Sequence, residues 1–161
     1  MRVPDVLASL LDGRPVVGAR EQAFPFLTVD EAGFPHVALL SRAEIGVSPG
    51  GQEVLAAVAS PRTRANLERD GRAGLVAVEG TTAHYAKLRV ARTIDAGALI
   101  GCALTVTGYQ ADSLGIPLAP VSFTTTAEIA RFEGWAASER LLRRLAAGPP
   151  EPGVGAAWPV G

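Results

Sequence analysis

The chain is poor in several residue types, and each shortage closes off a class of function. Among 161 residues there is one cysteine, one methionine and two histidines. Lys87 is the only lysine. Cys102, alone, cannot form an internal disulfide, so a reduced, intracellular setting is the simpler reading and the thiol inside "LIGCALTV" is expected in the core. Two histidines, one cysteine and scattered carboxylates give no metal-ligand spacing. No G-x-S-x-G turn and no Ser/His/Asp constellation is present to support hydrolysis. A charge excess is also lacking: the formal net charge is −1 with 19% charged residues. Nothing global therefore draws the protein to nucleic acid or to an anionic membrane, and any anion site must be local. Long apolar runs are missing as well. The uncharged stretch from Ala96 to Ala111 holds Thr, Tyr and Gly and is too short and polar to span a bilayer. The opening "MRVPDVLASLLDG" has Asp5 inside its short apolar stretch and does not resemble a signal peptide, so cytoplasmic residence is the default expectation.

What is abundant is small and apolar. Hydrophobic residues make up 48%, and a chain of this length buries roughly 70% of its unfolded surface, enough for one domain without staples. The expected organisation is a single domain over 1–148 and a Pro/Gly-rich tail over 149–161. Pro4, Asp5 and the spacing of Val6, Leu7, Leu10 and Leu11 predict a short helix ended by Gly13. Phe24 to Asp30 and Phe34 to Val47 read as a hairpin around Gly33, with a further strand from Glu53 to Ser60. "RAGLVAVEG" and "TTAHYAKLRVARTID" form two more strands about Gly80. In "ALIGCALTVTGYQ", Ile100, Cys102, Leu104 and Val106 share one face, the alternation of a half-buried antiparallel strand. "VSFTTTAEIARFE" is ambiguous, strand first and helix at its end. "ASERLLRRLAAG" is a helix with Leu141, Leu142 and Leu145 inward. Such a series predicts a mainly antiparallel barrel with peripheral helices.

Two features point beyond a bare barrel. The strands at Val37 to Leu40, Val54 to Val58 and Leu75 to Val78 are apolar on both parities, so both faces need cover, from a second subunit or from the terminal helices. The segment "SPRTRANLERDGR" (Ser60 to Arg72) concentrates Arg62, Arg64, Arg69 and Arg72. Ser60 is a plausible N-cap, Pro61 suits the first helical position and Gly71 ends the helix. A helix N-terminus offers unpaired N–H groups and a partial positive charge, so Ser60, Arg62, Thr63 and Arg64 there make a local dianion site. The competing reading is a solvated helix face balanced by Glu68 and Asp70, preferred for Arg69.

The order of an apolar strand pair, "ASPRTRANLERDGRAGLVAVEG" and then "AKLRVAR", over roughly Phe24 to Thr93, resembles the pyridoxamine 5'-phosphate oxidase-like, FMN-binding split-barrel superfamily. Arg62, Thr63, Asn66, Leu67 and Arg72 carry most of the likeness. The resemblance implies a six- to seven-stranded antiparallel split β-barrel of Greek-key type with peripheral helices, assembled as a homodimer with FMN at the subunit interface. It implies cofactor contacts from Ser60, Arg62, Thr63, Arg64 and Asn66, from His36 and Ser41 on the second strand, and from Lys87, which reads equally as an exposed strand charge. The chain departs from the family pattern in having His36 and Ser41 where an Arg and a Lys are usual, and Thr63 for a Lys. Either Arg62 and Arg64 compensate, or the cofactor is a deazaflavin coenzyme, haem or none. The Arg-x-His-type substrate motif of pyridoxamine 5'-phosphate oxidase itself is missing from "RFEGWAASERLLRRL". The implied function is an FMN-dependent oxidoreductase in which the flavin does the chemistry, so no side-chain acid or base is obligatory and no catalytic residue is named. The alternative is a non-catalytic split-barrel protein that carries or senses the cofactor. Trp135 is expected to pack, His84 to be a satisfied polar residue near the barrel rim and Asp112 to cap a turn, while Trp158 has no assigned role.

Overall fold

A computed structural model describes residues 1–149. The tail beyond, with Trp158, lies outside the described residues. The chain runs α1 (Asp5–Leu11), β1 (Arg20–Gln22), β2 (Phe24–Val29), β3 (Pro35–Leu40), β4 (Ile45–Val47), β5 (Glu53–Val58), α2 (Pro61–Asp70), β6 (Arg72–Glu79), β7 (Thr82–Ala96), β8 (Leu99–Ser113), β9 (Ser122–Thr124), α3 (Ala127–Phe132) and α4 (Trp135–Ala146). Seven strands form one antiparallel sheet in the order β3-β2-β6-β7-β8-β5-β4, and β1 pairs with β9 in a separate ribbon. The sheet curls into a half-barrel, the split-barrel architecture the sequence implied. Among the described residues, no helix is long and apolar enough to cross a membrane.

Two local expectations change. The run from Phe34 to Val47 is not one strand but two, because the Ser41 N–H and hydroxyl both donate to Glu44 Oε2 at 2.8 Å and tie off a turn between β3 and β4. The ambiguous segment after Pro120 resolves into β9 and α3, whose N-cap Thr126 accepts the Ile129 N–H at 3.1 Å. The helix around the arginines forms as expected, with Ser60 capping Thr63 N–H and Gly71 in a left-handed φ of 68°.

β7 and β8 are each fifteen residues long and pair along nearly their full length. The first half of β7 pairs with β6, and the first half of β8 with β5. One hairpin therefore belongs to both sides of the sheet. Register shifts at Lys87/Leu88 and Val90/Arg92 bend it, as bulges do by adding local twist. The concave face gathers Phe24, Phe26, Ile45, Val54, Leu75, Leu88 and Leu104, with Leu7 and Leu11 of α1 joining the same cluster.

The convex face is covered unevenly. Over β5 and β8, Leu145 of α4 packs on Leu55 and Ala103. A Cβ at Gly101 would lie 2.9 Å from Leu141 Cγ, so the missing side chain admits the helix. The outward residues of Val54–Val58 thus find cover within the chain. Those of β3 do not: Val37 and Leu39 are 50% and 54% exposed.

Cys102 is fully buried, and burial pushes its thiol up to about 11. Only the thiolate is reactive, so at pH 8 the native protein should resist a disulfide-exchange reagent and label only as it unfolds. Rapid stoichiometric labelling of folded protein at pH 8 would contradict this burial.

Candidate functional site

At the amino end of α2 the two cations differ in circumstance. Arg64 is locked, with Nε on Glu68 Oε1 at 2.9 Å, Nη1 on the Gly97 carbonyl at 3.0 Å and Nη2 on Asp95 Oδ2 at 2.6 Å. The Arg64 hydrogen bond is also the main reason the exposed Asp95 carboxyl titrates below its ordinary range. This tethers the helix start to the turn between β7 and β8. Arg62 is exposed and has no ionic or hydrogen-bonding partner among the described residues. Thr63, by contrast, is fully buried and its Oγ1 has no hydrogen-bond partner.

One turn on, Asn66 faces the barrel. Its Nδ2 donates to Thr28 Oγ1 of β2 at 2.9 Å, and its Oδ1 accepts from Arg69 Nη1 at 3.2 Å. Arg69 also donates to the Val29 carbonyl, so it clamps the helix to β2 instead of lying free on the solvated face. His36 stands opposite Thr28 in the β2–β3 register. Asn66, Thr28 and His36 therefore form one row. Ser41 sits at the far end of β3, bonded to Glu44. Burial pushes the Glu44 carboxyl up, against the opposing pull of those Ser41 hydrogen bonds.

Lys87 lies elsewhere. Parity along β7 holds as expected: His84, Ala86 and Leu88 are buried while Tyr85 and Lys87 face outward. His84 is only partly satisfied, with Nδ1 2.7 Å from the Tyr109 hydroxyl and Nε2 without a partner. Outward with Lys87 come Leu27, Gly74 and Val76, which with Tyr85 and Gln110 line a trough of about 420 Å³. Across Leu27 and Gly74 it continues into a second hollow of about 330 Å³ lined by Thr28, Val29, Pro35 and Arg72. This hollow exists because β2 and β6 pair only at Phe26↔Leu75 and Leu27↔Gly74 and then part. At the bulge beside Leu88, Thr107 is the extra residue, and its Oγ1 donates to the Lys87 carbonyl at 3.2 Å. Glycine at 74 leaves the middle of the trough without a side chain.

The structure thus gathers the sequence candidates into three places. Ser60, Arg62, Thr63 and Arg64 mark the start of α2, Asn66 and His36 flank Thr28, and Lys87 edges the trough. Ser41 joins none of them. Leu27, Gly74, Arg72 and Tyr85 were not singled out as binding residues, although the apolar double parity of Leu75 to Val78 was the signal for an unpartnered outer face. An apolar trough with a lysine at its edge, continuing into a hollow lined by an arginine that Asp70 already pairs at 2.7 Å, suits a flat aromatic ring. Among the described residues no group of three or more His, Cys, Asp or Glu could hold a metal ion.

Comparison with known proteins agrees with the fold. No family model matches the chain. The uncharacterized protein YclD of Bacillus subtilis (strain 168) is 36% identical over 87 residues, a match that spans 54% of this chain and 56% of that protein. The conserved hypothetical protein Rv2991 of Mycobacterium tuberculosis superimposes with a TM-score of 0.52 at 13% identity, covering 75% of this chain and 92% of that one. HupZ of Group A Streptococcus gives 0.52 at 12% identity, covering 73% and 99%. The antiparallel half-barrel is thus shared with these structures, a likeness of fold alone.

The Asn66 contacts carry a stability prediction. Asn66→Ala leaves Thr28 Oγ1 without its donor and removes one of the two acceptors of Arg69, and loss of such hydrogen bonds typically costs about 1–3 kcal/mol. Urea unfolding should show a lower midpoint at unchanged slope; an unshifted midpoint would mean that the Asn66 contacts contribute nothing.

Proposed function

We propose that this chain is a flavin-binding, oxidoreductase-like split-barrel protein of the pyridoxamine phosphate oxidase-like group, taking FMN and working as a homodimer. The observation that carries the reading is the trough itself: an apolar hollow on an otherwise uncovered sheet face, edged by the chain's only lysine. The residues present fit the group. Leu27, Gly74 and Val76 offer a flat apolar floor and Lys87 supplies positive charge at the trough, while Arg72, paired with Asp70 at 2.7 Å, lines the second hollow. FMN, when bound, supplies the electron or hydride transfer. The chain's part is to bind, orient and exclude water: Leu27 and Tyr85 shield the ring, and Lys87 sets charge at its edge. Arg62, unpaired beside the first-turn N–H groups of α2, is the candidate for the phosphate. The ring and phosphate assignments rest on different parts of the chain and are tested by different variants.

Dimerisation belongs to the same reading. Val37 and Leu39 lie half exposed on the face that holds the trough, and a second copy is the simplest lid for such a surface. Native mass measurement should find a dimer, and Leu39→Glu should shift it to monomer. A wild-type monomer at micromolar concentration would remove the lid from the proposal.

A second reading, a non-catalytic carrier or sensor of FMN, a deazaflavin coenzyme or haem, is favoured by one observation: Asp95 and Glu68 occupy Arg64, which leaves Arg62 as the free cation at the amino end of α2. Absorbance and mass spectrometry of the small molecule that co-purifies separate the cases. Flavin bands bleached by NADH or NADPH support the oxidoreductase, unbleached flavin supports the carrier, and a Soret band points to haem. With FMN, Arg62→Ala should weaken binding by about 1.5–3 kcal/mol with the fold intact. Unchanged affinity would return Arg62 to the solvated surface.

A further inference from the structure

The largest cavity among the described pockets, about 620 Å³, is on another part of the molecule and shares no residue with the trough. It opens between α1, β4 and α4. Its floor is apolar, with Leu11 from α1, Ile45 and Val47 from β4 and Leu142 from α4, and Arg2, Arg14 and Arg42 also line it. That size is within the ordinary range for small-molecule sites.

The three guanidinium groups are not equivalent. Arg42 is held by Glu21, through Nε at 3.0 Å and Nη2 at 2.9 Å, and by the Asp12 carbonyl at 2.7 Å. Arg14 shares the single carboxylate of Glu139 with Arg143. Arg2 has no carboxylate partner among the described residues. Arg14 and Arg42 are thus paired with Glu139 and Glu21, the Asp12 side chain that also lines the cleft is in no ion pair among the described residues, and Arg2 is the lining guanidinium without a carboxylate partner. Backbone shape assists. A Cβ at Gly51 would come within 3.0 Å of Arg2 Nη2, and one at Gly13 within 3.0 Å of Arg42 Nη1. The absence of side chains at both positions lets the guanidinium groups lie close against the chain.

We propose that this cleft is a second ligand site, separate from the trough, for a small organic anion: a carboxylate or phosphate monoester head on an apolar body. Arg2 pairs with the head, Arg14 and Arg42 line the head's surroundings, and the half-buried Val47 and Leu142 cover the body. A neutral ligand leaves Arg2 unpaired. A bare inorganic anion leaves the apolar floor wet. The class follows from needing both, and it does not depend on what the trough binds.

Calorimetric titration of the full chain with phenyl phosphate, benzoate and phenol tests it, with no flavin added. Both anions should saturate one site per chain, with phenol at least about tenfold weaker, since tenfold is the least a lost charge-assisted contact gives. Arg2→Gln should lower the anion affinity by about tenfold or more and Arg2→Lys should recover part of it, while Lys87→Gln should leave it unchanged. Circular dichroism should report the same fold for each variant. Absence of saturable binding by either anion, equal affinity in Arg2→Gln, or loss in Lys87→Gln would each overturn the assignment. The last would place the ligand in the trough instead, and none of these outcomes bears on whether the trough takes FMN.

Discussion

The rest of the structure depends on one constraint: β7 and β8 are paired along fifteen residues, yet their two halves serve different neighbours. A flat pair cannot do that. The hairpin has to coil, and the shifts at Lys87/Leu88 and Val90/Arg92 supply the extra twist. Once it coils, the sheet acquires a concave face deep enough to hold Phe24, Phe26, Leu75 and Leu104 out of water. The same bend sets the outward residue Lys87 beside Gly108 and Gln110. Core and trough are two sides of one distortion.

Curvature also creates a convex face, and the chain's remaining helices cannot cover all of it. α4 is amphipathic enough to bury Leu141 and Leu145 against β5 and β8, and Gly101 is the small residue that brings it close. Arg92 reinforces this contact by donating to the Leu145 carbonyl at 2.8 Å while pairing with Glu53. Among the described residues, β2, β3 and β6 receive no such cover. Leaving Val37 and Leu39 in water costs hydrophobic stabilisation of about 25 cal/mol for each Å² of apolar surface that stays exposed. A face of that kind is best explained by something that binds to it, which makes the fold's least covered region its candidate functional one.

The arginines of α2 show how far local pattern carries. The helix limits were legible because Ser60, Pro61 and Gly71 act through their own backbone and nearest neighbours. The fates of Arg64 and Arg69 were not, since Asp95, Gly97 and Val29 meet them only after β2 and the β7–β8 turn have come together. Asn66 and Thr63 behave likewise. Both lie on the helix face that packs into the barrel, and helical spacing alone did not tell which face that would be. The break between β3 and β4 was missed for a related reason, because Glu44 closes a turn in a stretch whose apolar residues continue on either side.

Local chemistry was enough to determine the class: short antiparallel strands with turns at glycine, a core-bound cysteine, an arginine-rich helix with readable ends, and strands apolar on both faces. Each depends on residues within a few positions of one another, where propensity, capping and alternation act directly. Among the described residues, tertiary structure alone decided which outer face stayed bare, which arginine of α2 stayed free and where a trough opened. Leu27, Gly74, Lys87 and Gln110 come from four different strands, and only the register and curl of the sheet put them side by side.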